Sequence, residues 1–190
     1  VFIGRYVVTN REYKTFVDQG GYRDPDYWTH PFVDDGELLE RGAAMARLVD
    51  RSGLPGPATW VGGSYPQGQE DHPVSGVSWY EAAAYAEFVG KRLPTVYDWY
   101  CASGAVTTPE VASMSNFHGS GPVAVSSINS IGPFGTFDMA GNVKEWCWNE
   151  DETGEGYVLG GAWGEPEYMF STPEARPRWH RDPKFGFRCV

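Results

Sequence analysis

The segment from Phe137 to Trp146 contains residue types that could hold a metal ion. Asp138 and Glu145 flank a tight turn at 140–142, so two carboxylates and the intervening backbone carbonyls could converge on a hard cation such as calcium. The alternative is that Asp138 and Asn142 only hydrogen-bond the backbone of the turn. The residues by themselves leave both interpretations open.

Other common catalytic patterns are missing from the sequence. The four histidines are scattered and lack the HExxH or HxxxH spacing that places two imidazoles on one helix face, which argues against a zinc hydrolase. There is no GxSxG nucleophile turn and no glycine-rich loop between a strand and a helix, so a serine hydrolase and a nucleotide-binding domain have no support. The histidines are His30, His72, His118 and His180.

Cys101, Cys147 and Cys189 lie among aromatic or apolar residues, with no base next to any of them. We therefore expect buried structural thiols, and a reactive thiolate is the alternative. An odd number of cysteines does not indicate a disulfide framework, although three cysteines could still form one disulfide and leave one free thiol. The lack of an evident framework slightly favours a cytoplasmic location.

The charge of the chain limits its partners. It carries 25 acidic and 15 basic side chains, for a formal net charge of −10. This charge argues against binding to nucleic acid or to anionic lipid, and it suits cationic partners or metal ions. No stretch approaches the roughly 20 apolar residues of a membrane-spanning helix, so we expect no membrane insertion.

The composition predicts how much regular structure to expect. The 190 residues include 24 glycines, 14 prolines and 8 tryptophans, which is typical of an aromatic core wrapped in irregular loops. The length suits one domain over residues 1–190. The sequence begins without a charged leader and apolar signal core, so we expect it to be the C-terminal part of a longer protein.

Three helix starts share one signal, a hydroxyl residue followed three positions later by an acid. They predict helices over Asn10–Asp18, Trp79–Val89 and from Val96 to about Ala102. In the second helix, four apolar residues fall on one stripe at helical spacing and predict a core-facing side. These residues are Ala82, Ala83, Ala86 and Val89.

The remaining segments predict short strands and loops. The opening residues 1–10 are typical of a strand, and 31–65 indicates an insertion with a helix over 36–50. Residues 103–136 indicate ordered loop or disorder, and the glycine-bounded runs NVKEWCW, YVLGGAW and FGFRCV predict further strands. Together these segments predict an α+β fold with many loops.

Five ordered blocks resemble the signature blocks of the formylglycine-generating enzyme (sulfatase-modifying factor) family. They are VVTNREYKTFV at 7–17, HPVSGVSWYEAAAYAEFVGKRLPTVYDW at 72–99, residues 137–148, LGGAW at 159–163 and the closing GFRCV. This resemblance covers nearly the whole chain. It implies a variant of the C-type lectin fold with little regular structure.

The resemblance also implies a calcium site and a copper site, with different expectations for this chain. The family's GNxxEW loop is similar to a calcium site, which here implies ligands from the side chains of Asp138 and Glu145 and the carbonyls of Gly141 and Val143. The family's oxidase activity depends on a copper-binding cysteine pair just after the GGSW-like block. Those positions hold Glu165 and Phe170 here, so we expect no copper and no oxidation of a sulfatase cysteine.

The stretch from Trp163 to Lys184 mixes aromatic and charged residues, as recognition surfaces do. We predict that it binds the ligand, and the alternative is that the rings cover core while the charges are only solvated. The candidate ligand-binding residues are Trp163, Glu165, Glu167, Tyr168, Phe170, Arg176, Arg178, Trp179, His180 and Arg181.

Domains resembling this family without the cysteine pair occur as modules attached to bacterial serine/threonine kinases. They also occur as ligand-displaying proteins varied by diversity-generating retroelements. The resemblance therefore predicts a non-catalytic module for an unknown protein or small-molecule ligand, and it is compatible with fusion to other domains. The alternative is an oxidoreductase of the formylglycine-generating type with a rearranged site.

Overall fold

The computed structural model describes residues 2–104, 111 and 113–190. The α-helices with described bounds are α1 (Asn10–Asp18), α2 (Arg41–Arg47), α3 (Trp79–Phe88) and α4 (Val96–Ser103), and 3-10 turns cover Pro25–Tyr27 and Glu167–Ser171. The strands are β1 (Val33–Asp34), β2 (Glu37–Leu38), β3 (Lys144–Glu150), β4 (Gly156–Leu159), β5 (Glu174–Arg176) and β6 (Phe185–Gly186). Loops join these short elements, in agreement with the predicted α+β fold.

The four-stranded sheet has the order β5-β4-β3-β6. Strands β3 and β4 run antiparallel with Glu145 opposite Leu159, and an irregularity lies between Trp146 and Glu150. Strand β6 runs parallel to β3 and pairs Gly186 with Glu145. The first four residues of β3 are buried, whereas Trp148 is exposed. One strand thus connects the core to the surface.

All three predicted helix starts are confirmed. Thr9, Ser78 and Thr95 each accept a hydrogen bond from the backbone N–H three positions later, and the acid there bonds back to the cap. A hydroxyl and a carboxylate in this arrangement satisfy two backbone donors that a helix start leaves unpaired. These signals depend only on neighbouring residues, so the sequence displays them fully.

Helix α3 is buried on every side, which corrects the prediction of a single core-facing stripe. Every residue from Trp79 to Ala86 is buried, while Val89 lies just past the helix and is 37% exposed. The ring of Tyr85 stacks on Tyr13 with 5.4 Å between centroids. Trp79, Tyr80 and Tyr85 of this helix belong to the same core cluster as its alanines, so the apolar residues are not confined to one face.

Two clusters of buried side chains form the core. The larger surrounds α3 and contains rings from α1, the sheet and the loop at 22–32. The smaller contains Trp99, Phe117, Met139, Leu159 and Phe170. The smaller cluster thus includes Met139 of the predicted metal turn and Phe170 of the predicted binding stretch.

The opening segment is not a strand, contrary to the prediction. Its backbone bonds to the C-terminal residues at separate points: Gly4 N–H donates to the Cys189 carbonyl at 2.7 Å, and Val8 N–H donates to that of Phe187 at 2.9 Å. Thr9 forms only an isolated bridge with Pro73. Proline has no N–H to donate, so a regular ladder cannot continue there.

The predicted helix over 36–50 is also wrong in its extent. The helix is α2, Arg41–Arg47, and a hairpin of β1 and β2 precedes it. Asp35 and Gly36 have φ values of +49° and +80°, the left-handed backbone that a two-residue hairpin turn requires. The Asp-Gly pair was therefore the local signal for this hairpin.

Strand β5 was not predicted, because Glu174–Arg176 carries charged ends and no apolar run. Of the predicted loop at 103–136, residues 105–110 and 112 lie outside the described residues. No helix among the described residues is long and apolar enough to cross a membrane.

Candidate functional site

The predicted metal turn is a strained loop held by its neighbours. Asp138, Gly141 and Asn142 all have positive φ values, of 55°, 72° and 65°. A Cβ on Gly141 would lie 2.9 Å from the carbonyl oxygen of Asn116, so only glycine fits. The Asn142 side chain accepts from Val123 N–H at 2.9 Å and from Asn116 Nδ2 at 3.2 Å. Asn142 thus fastens the loop at 116–123 to the turn.

Glu145 forms a fully buried ion pair with Arg188. Arg188 donates from Nε to Oε2 at 2.6 Å and from Nη2 to Oε1 at 2.7 Å, and the indole N–H of Trp99 donates to Oε2 at 2.9 Å. Burial raises the pKa of the Glu145 carboxyl, and the Arg188 guanidinium opposes that rise. The remaining Arg188 donors reach the carbonyls of Gly4 and Phe137. The pair therefore ties the sheet to the N-terminal segment.

Asp138 differs from Glu145 in having a carboxylate oxygen that accepts no hydrogen bond of standard geometry. Its Oδ1 accepts from the Ser130 hydroxyl at 2.5 Å, while its Oδ2 is buried and makes no hydrogen bond of standard geometry, although the Ser126 backbone N–H is close enough to lower the pKa of the carboxyl. Burial raises the pKa of this carboxyl. A buried carboxylate oxygen without a partner is costly unless a ligand, water or ion satisfies it.

The acceptor oxygens left in this region are of the kind that hard cations prefer. Asp138 Oδ2 makes no hydrogen bond of standard geometry, and Glu145 Oε1 accepts from one donor, which leaves room for a second partner. The ion would be held by these two carboxylates with the carbonyls of Gly141 and Val143, and it would share Glu145 with Arg188. No group of three or more His, Cys, Asp or Glu side chains that could hold a metal occurs among the described residues.

Glu165 and Phe170 stand at the two positions that match the family's copper-binding cysteines, and both make contacts within the fold. Glu165 pairs with Lys144 at 3.0 Å and accepts from Ala162 N–H at 3.0 Å. Lys144, with a side chain only 4% exposed, also pairs with Glu174. The Phe170 ring is 3% exposed and lies 5.9 Å from that of Trp99. Neither position offers a thiolate.

Phe170 is buried and the Arg181 guanidinium is taken up by contacts within the fold, which corrects the sequence prediction for these two residues. Phe170 belongs to the smaller core cluster. Arg181 forms a bidentate pair with the fully buried Glu81 at 2.9 Å and donates to the carbonyls of Val49 and Gly56. Both side chains complete the fold, so neither can act as a free contact for a ligand.

The other predicted binding residues do not form one surface. Arg176 pairs with Glu174 at 3.2 Å near Glu165, and the Lys184 Nζ lies 5.0 Å from the Trp163 ring. In the 3-10 turn, Glu167 pairs with His118 at 3.0 Å, and Tyr168 is 69% exposed. His180 lies near Asp182 at 3.7 Å.

Arg178 and Trp179 lie elsewhere, beside the hairpin of β1 and β2. The Trp179 indole N–H donates to the Val33 carbonyl at 2.6 Å, and its ring lies 4.6 Å from that of Tyr80. Arg178 pairs with Glu150, and its guanidinium lies 4.6 Å from the centroid of Trp79. Arg178 and Trp179, with Glu150 and Tyr80, line a groove of about 360 Å³.

Sequence reasoning missed the other side of this groove. His30, Trp148 and Glu150 line an adjoining cavity of about 310 Å³ together with Trp79 and Arg178. Alternation along β3 would put Trp146 and Trp148 on the same face, yet Trp146 is buried and Trp148 is 40% exposed. The pairing of β3 with β4 becomes irregular between Trp146 and Glu150, and no local sequence pattern indicates this change.

All three cysteines are free. Cys147 and Cys189 are buried as expected, whereas Cys101 is exposed, which corrects the prediction for that residue. Burial raises the pKa of the Cys147 thiol well above its usual value and that of Cys189 to about 12. Neither buried thiol forms a nucleophilic thiolate at neutral pH.

Comparison with known proteins identifies the family of this chain. The Sulfatase-modifying factor enzyme 1-like domain model matches residues 1–190. The chain is 47% identical over 155 residues to the serine/threonine-protein kinase pkn1 of Chlamydia caviae, a match that covers 77% of this chain and 22% of the kinase. It is 32% identical over 184 residues to the formylglycine-generating enzyme of Thermomonospora curvata, covering 78% of this chain and 60% of the enzyme.

A solved structure shows the same fold. Treponema denticola variable protein 1 superposes with a TM-score of 0.65 and 18% sequence identity, covering 98% of this chain and 82% of that chain. The chain spans less than two thirds of the length of the two relatives above. Because the family model matches over all 190 residues, the chain belongs to the sulfatase-modifying factor (formylglycine-generating enzyme) domain family and has its C-type lectin-like fold.

Proposed function

We propose that this domain is a non-catalytic binding module of its family. The observation that carries the proposal is the state of the two family copper positions. Glu165 is engaged by Lys144, and Phe170 is packed in the core beside Trp99. Copper(I) selects soft thiolate ligands, which carboxylate and phenyl groups do not replace.

The remaining thiols do not restore such a pair. Cys101, Cys147 and Cys189 lie in other blocks of the sequence, and two of them are buried with raised pKa values. Oxidation of a substrate cysteine would need a copper-bound thiolate pair beside the substrate. We therefore assign the domain no oxidase activity.

The kinase relative supports a place for the module in a larger protein. The matched region makes up 22% of that kinase. We propose that this domain likewise belongs to a longer chain and presents a surface that recognises a protein or small-molecule ligand. In this role the domain would report ligand binding to the attached domains.

The competing function is an oxidoreductase of the formylglycine-generating type with a rearranged site. The 32% identity to the Thermomonospora curvata enzyme favours it. An aerobic assay with copper(I), a reductant and a cysteine peptide from a sulfatase separates the two functions, with that enzyme as the positive control. We expect no aldehyde product from this domain, and formylglycine formed in repeated turnovers would overturn the proposal.

We also propose that calcium, if bound, is a structural ion. Asp138 and Glu145 with the carbonyls of Gly141 and Val143 would hold it, and it would satisfy the Oδ2 of Asp138, which makes no hydrogen bond of standard geometry. A cation there would fasten the turn before β3 to the strand itself. It would contribute stability and no redox chemistry.

A further inference from the structure

Two cavities meet at the ion pair between Arg178 and Glu150. The larger, about 360 Å³, opens between the hairpin of β1 and β2 and the turn at 150–155. The smaller, about 310 Å³, is walled by His30, Trp79 and Trp148. Arg178 and Glu150 line both cavities, so we treat them as one site, the Arg178 groove.

The larger cavity carries an excess of negative charge. Four carboxylates line it, from Asp34, Asp35, Glu150 and Glu155, against the single cation of Arg178. Arg178 is already paired with Glu150, and Asp34 pairs with Arg47 at 2.7 Å. The side chains of Asp35 and Glu155 form no ion pair with any described residue. Two carboxylates are therefore available to a cation from outside.

The walls of the groove already hold guanidinium groups on tryptophan rings. Arg47 lies 5.2 Å from the centroid of Trp179, and Arg178 lies 4.6 Å from that of Trp79. Each of these guanidinium groups also pairs with a carboxylate. A ring face next to a carboxylate attracts cations through the ring quadrupole and through charge. Trp148, 40% exposed, offers another ring at the rim.

Two nitrogen atoms of the smaller cavity's lining residues lack partners. His30 Nε2 and Arg178 Nε are buried and make no hydrogen bond with the described residues. Burial and the nearby Arg178 lower the pKa of His30, so its ring is neutral at pH 7. Because both nitrogens are buried, a ligand cannot contact them in this conformation, and recognition depends on the carboxylates and rings that reach the surface.

We infer that the Arg178 groove binds an arginine- or lysine-containing segment of a partner protein, an inference that rests on the proposed binding function and names its ligand class. The cationic side chain would lie against the aromatic walls and pair with Asp35 and Glu155. The net charge of −10 steers such a segment toward the domain over longer distances. Acidic and neutral segments would find no partner for these carboxylates.

Calorimetric titration tests this inference with a defined probe, the acetylated and amidated pentapeptide Gly-Arg-Gly-Arg-Gly. The matched ligand replaces both arginines by citrulline, which keeps the shape and removes the charge. The matched proteins are the double variants Asp35→Asn/Glu155→Gln and Glu37→Gln/Glu152→Gln. Both variants lose two negative charges from the same hairpin and turn, but Glu37 and Glu152 do not line the groove.

The arginine peptide should bind, and the citrulline peptide should bind at least tenfold more weakly. The groove variant should lose about tenfold in affinity, since each exposed pair contributes up to about 1 kcal/mol and 1.4 kcal/mol is tenfold. The control variant should change affinity by less than about twofold. Equal losses in both variants, or equal binding of the two peptides, would overturn the inference.

No binding of the arginine peptide to the unmodified domain would also overturn it. That result would leave the non-catalytic function standing, because the copper assay decides that function separately. Conversely, formylglycine production would overturn the function whatever the peptide titration gave.

Discussion

The Glu145–Arg188 pair and the Arg178 groove are both rich in charge and aromatic rings, but they differ in how their charges are satisfied. At the first, Glu145 and Arg188 are fully buried and the guanidinium donors are used. In the second, Asp35 and Glu155 have no ionic partner among the described residues. Charge at the first region stabilises the fold, whereas charge at the second is available to a ligand.

The C-terminal stretch contains both kinds of residue within a few positions. Arg181 is fixed by Glu81 and three backbone carbonyls, while Arg178 lies at the edge of a groove. Residue type alone does not separate them. The difference lies in whether a distant element supplies a buried carboxylate, which only the folded chain reveals.

The largest effect should come from breaking the buried pair. Arg188→Met leaves Glu145 without its counter-charge, so unfolding free energy should fall by about 3–5 kcal/mol, as for other broken buried pairs. The single substitution Glu155→Gln in the groove should change the free energy of unfolding by less than about 0.5 kcal/mol. Urea denaturation of both variants measures the difference. Similar midpoints for the two would show that the contrast between the regions is wrong.

The 3-10 turn at Glu167–Ser171 offers a second contrast between two rings. Phe170→Ala should cost about 3–5 kcal/mol, because the ring is 3% exposed and its removal leaves a cavity. Tyr168→Ala should cost less than about 0.5 kcal/mol, since that ring is 69% exposed. A small loss for Phe170→Ala, measured by the same denaturation, would place this ring outside the core.

Calcium should stabilise the domain by an amount that depends on its concentration. Saturation at 100 times the dissociation constant would add about 2.7 kcal/mol. Asp138→Asn is the better variant for testing the calcium site. A substitution of Glu145 would also break its buried pair with Arg188 and destabilise the domain without calcium. Asparagine also tolerates the positive φ of 55° at this position.

In chelator, Asp138→Asn should be as stable as the parent or more so, since it removes a buried charge. With calcium, only the parent should gain in melting temperature. An equal gain in both proteins, or none in the parent, would show that these residues do not hold calcium.

A smaller effect is expected on lowering the pH, through Asp50. Burial raises the pKa of Asp50, but hydrogen bonds from Ser52, Gly63 and Leu54 outweigh it and lower the pKa overall. A carboxyl whose pKa is lowered in the folded state stabilises the protein at pH values above its unfolded-state pKa, which is about 3.9. This stability is lost as the pH falls through the folded-state pKa. The parent should therefore lose more stability than Asp50→Asn between pH 5 and pH 2. Parallel losses would contradict this role.

Local signals predicted much of the fold. The capping boxes at Thr9, Ser78 and Thr95 involve residues three positions apart, and all three hold. Partners far apart in sequence could not be predicted. Glu145 meets Arg188 across 43 positions, and Glu81 meets Arg181 across 100. These pairs decide which charged residues remain for a ligand.

The candidate site was predicted only in part for the same reason. Arg178 and Trp179 were identified from composition, whereas His30, Trp148 and the hairpin at 33–38 join them only through the fold. Trp148 lies where the pairing of β3 with β4 becomes irregular, a change that no local sequence pattern indicates. The groove is therefore a property of the assembled chain.

We propose that the family's copper position cannot hold copper(I) in this chain, and a competition titration with copper(I) tests this proposal most directly. A Cys101→Ser variant, which lacks the exposed thiol, is added anaerobically to copper(I) held by a chromogenic chelator, with the Thermomonospora curvata enzyme measured alongside. Glu165 and Phe170 supply no thiolate, so this variant should leave the chelator spectrum unchanged while the enzyme removes the metal. Stoichiometric removal of copper(I) by the variant would contradict the proposal.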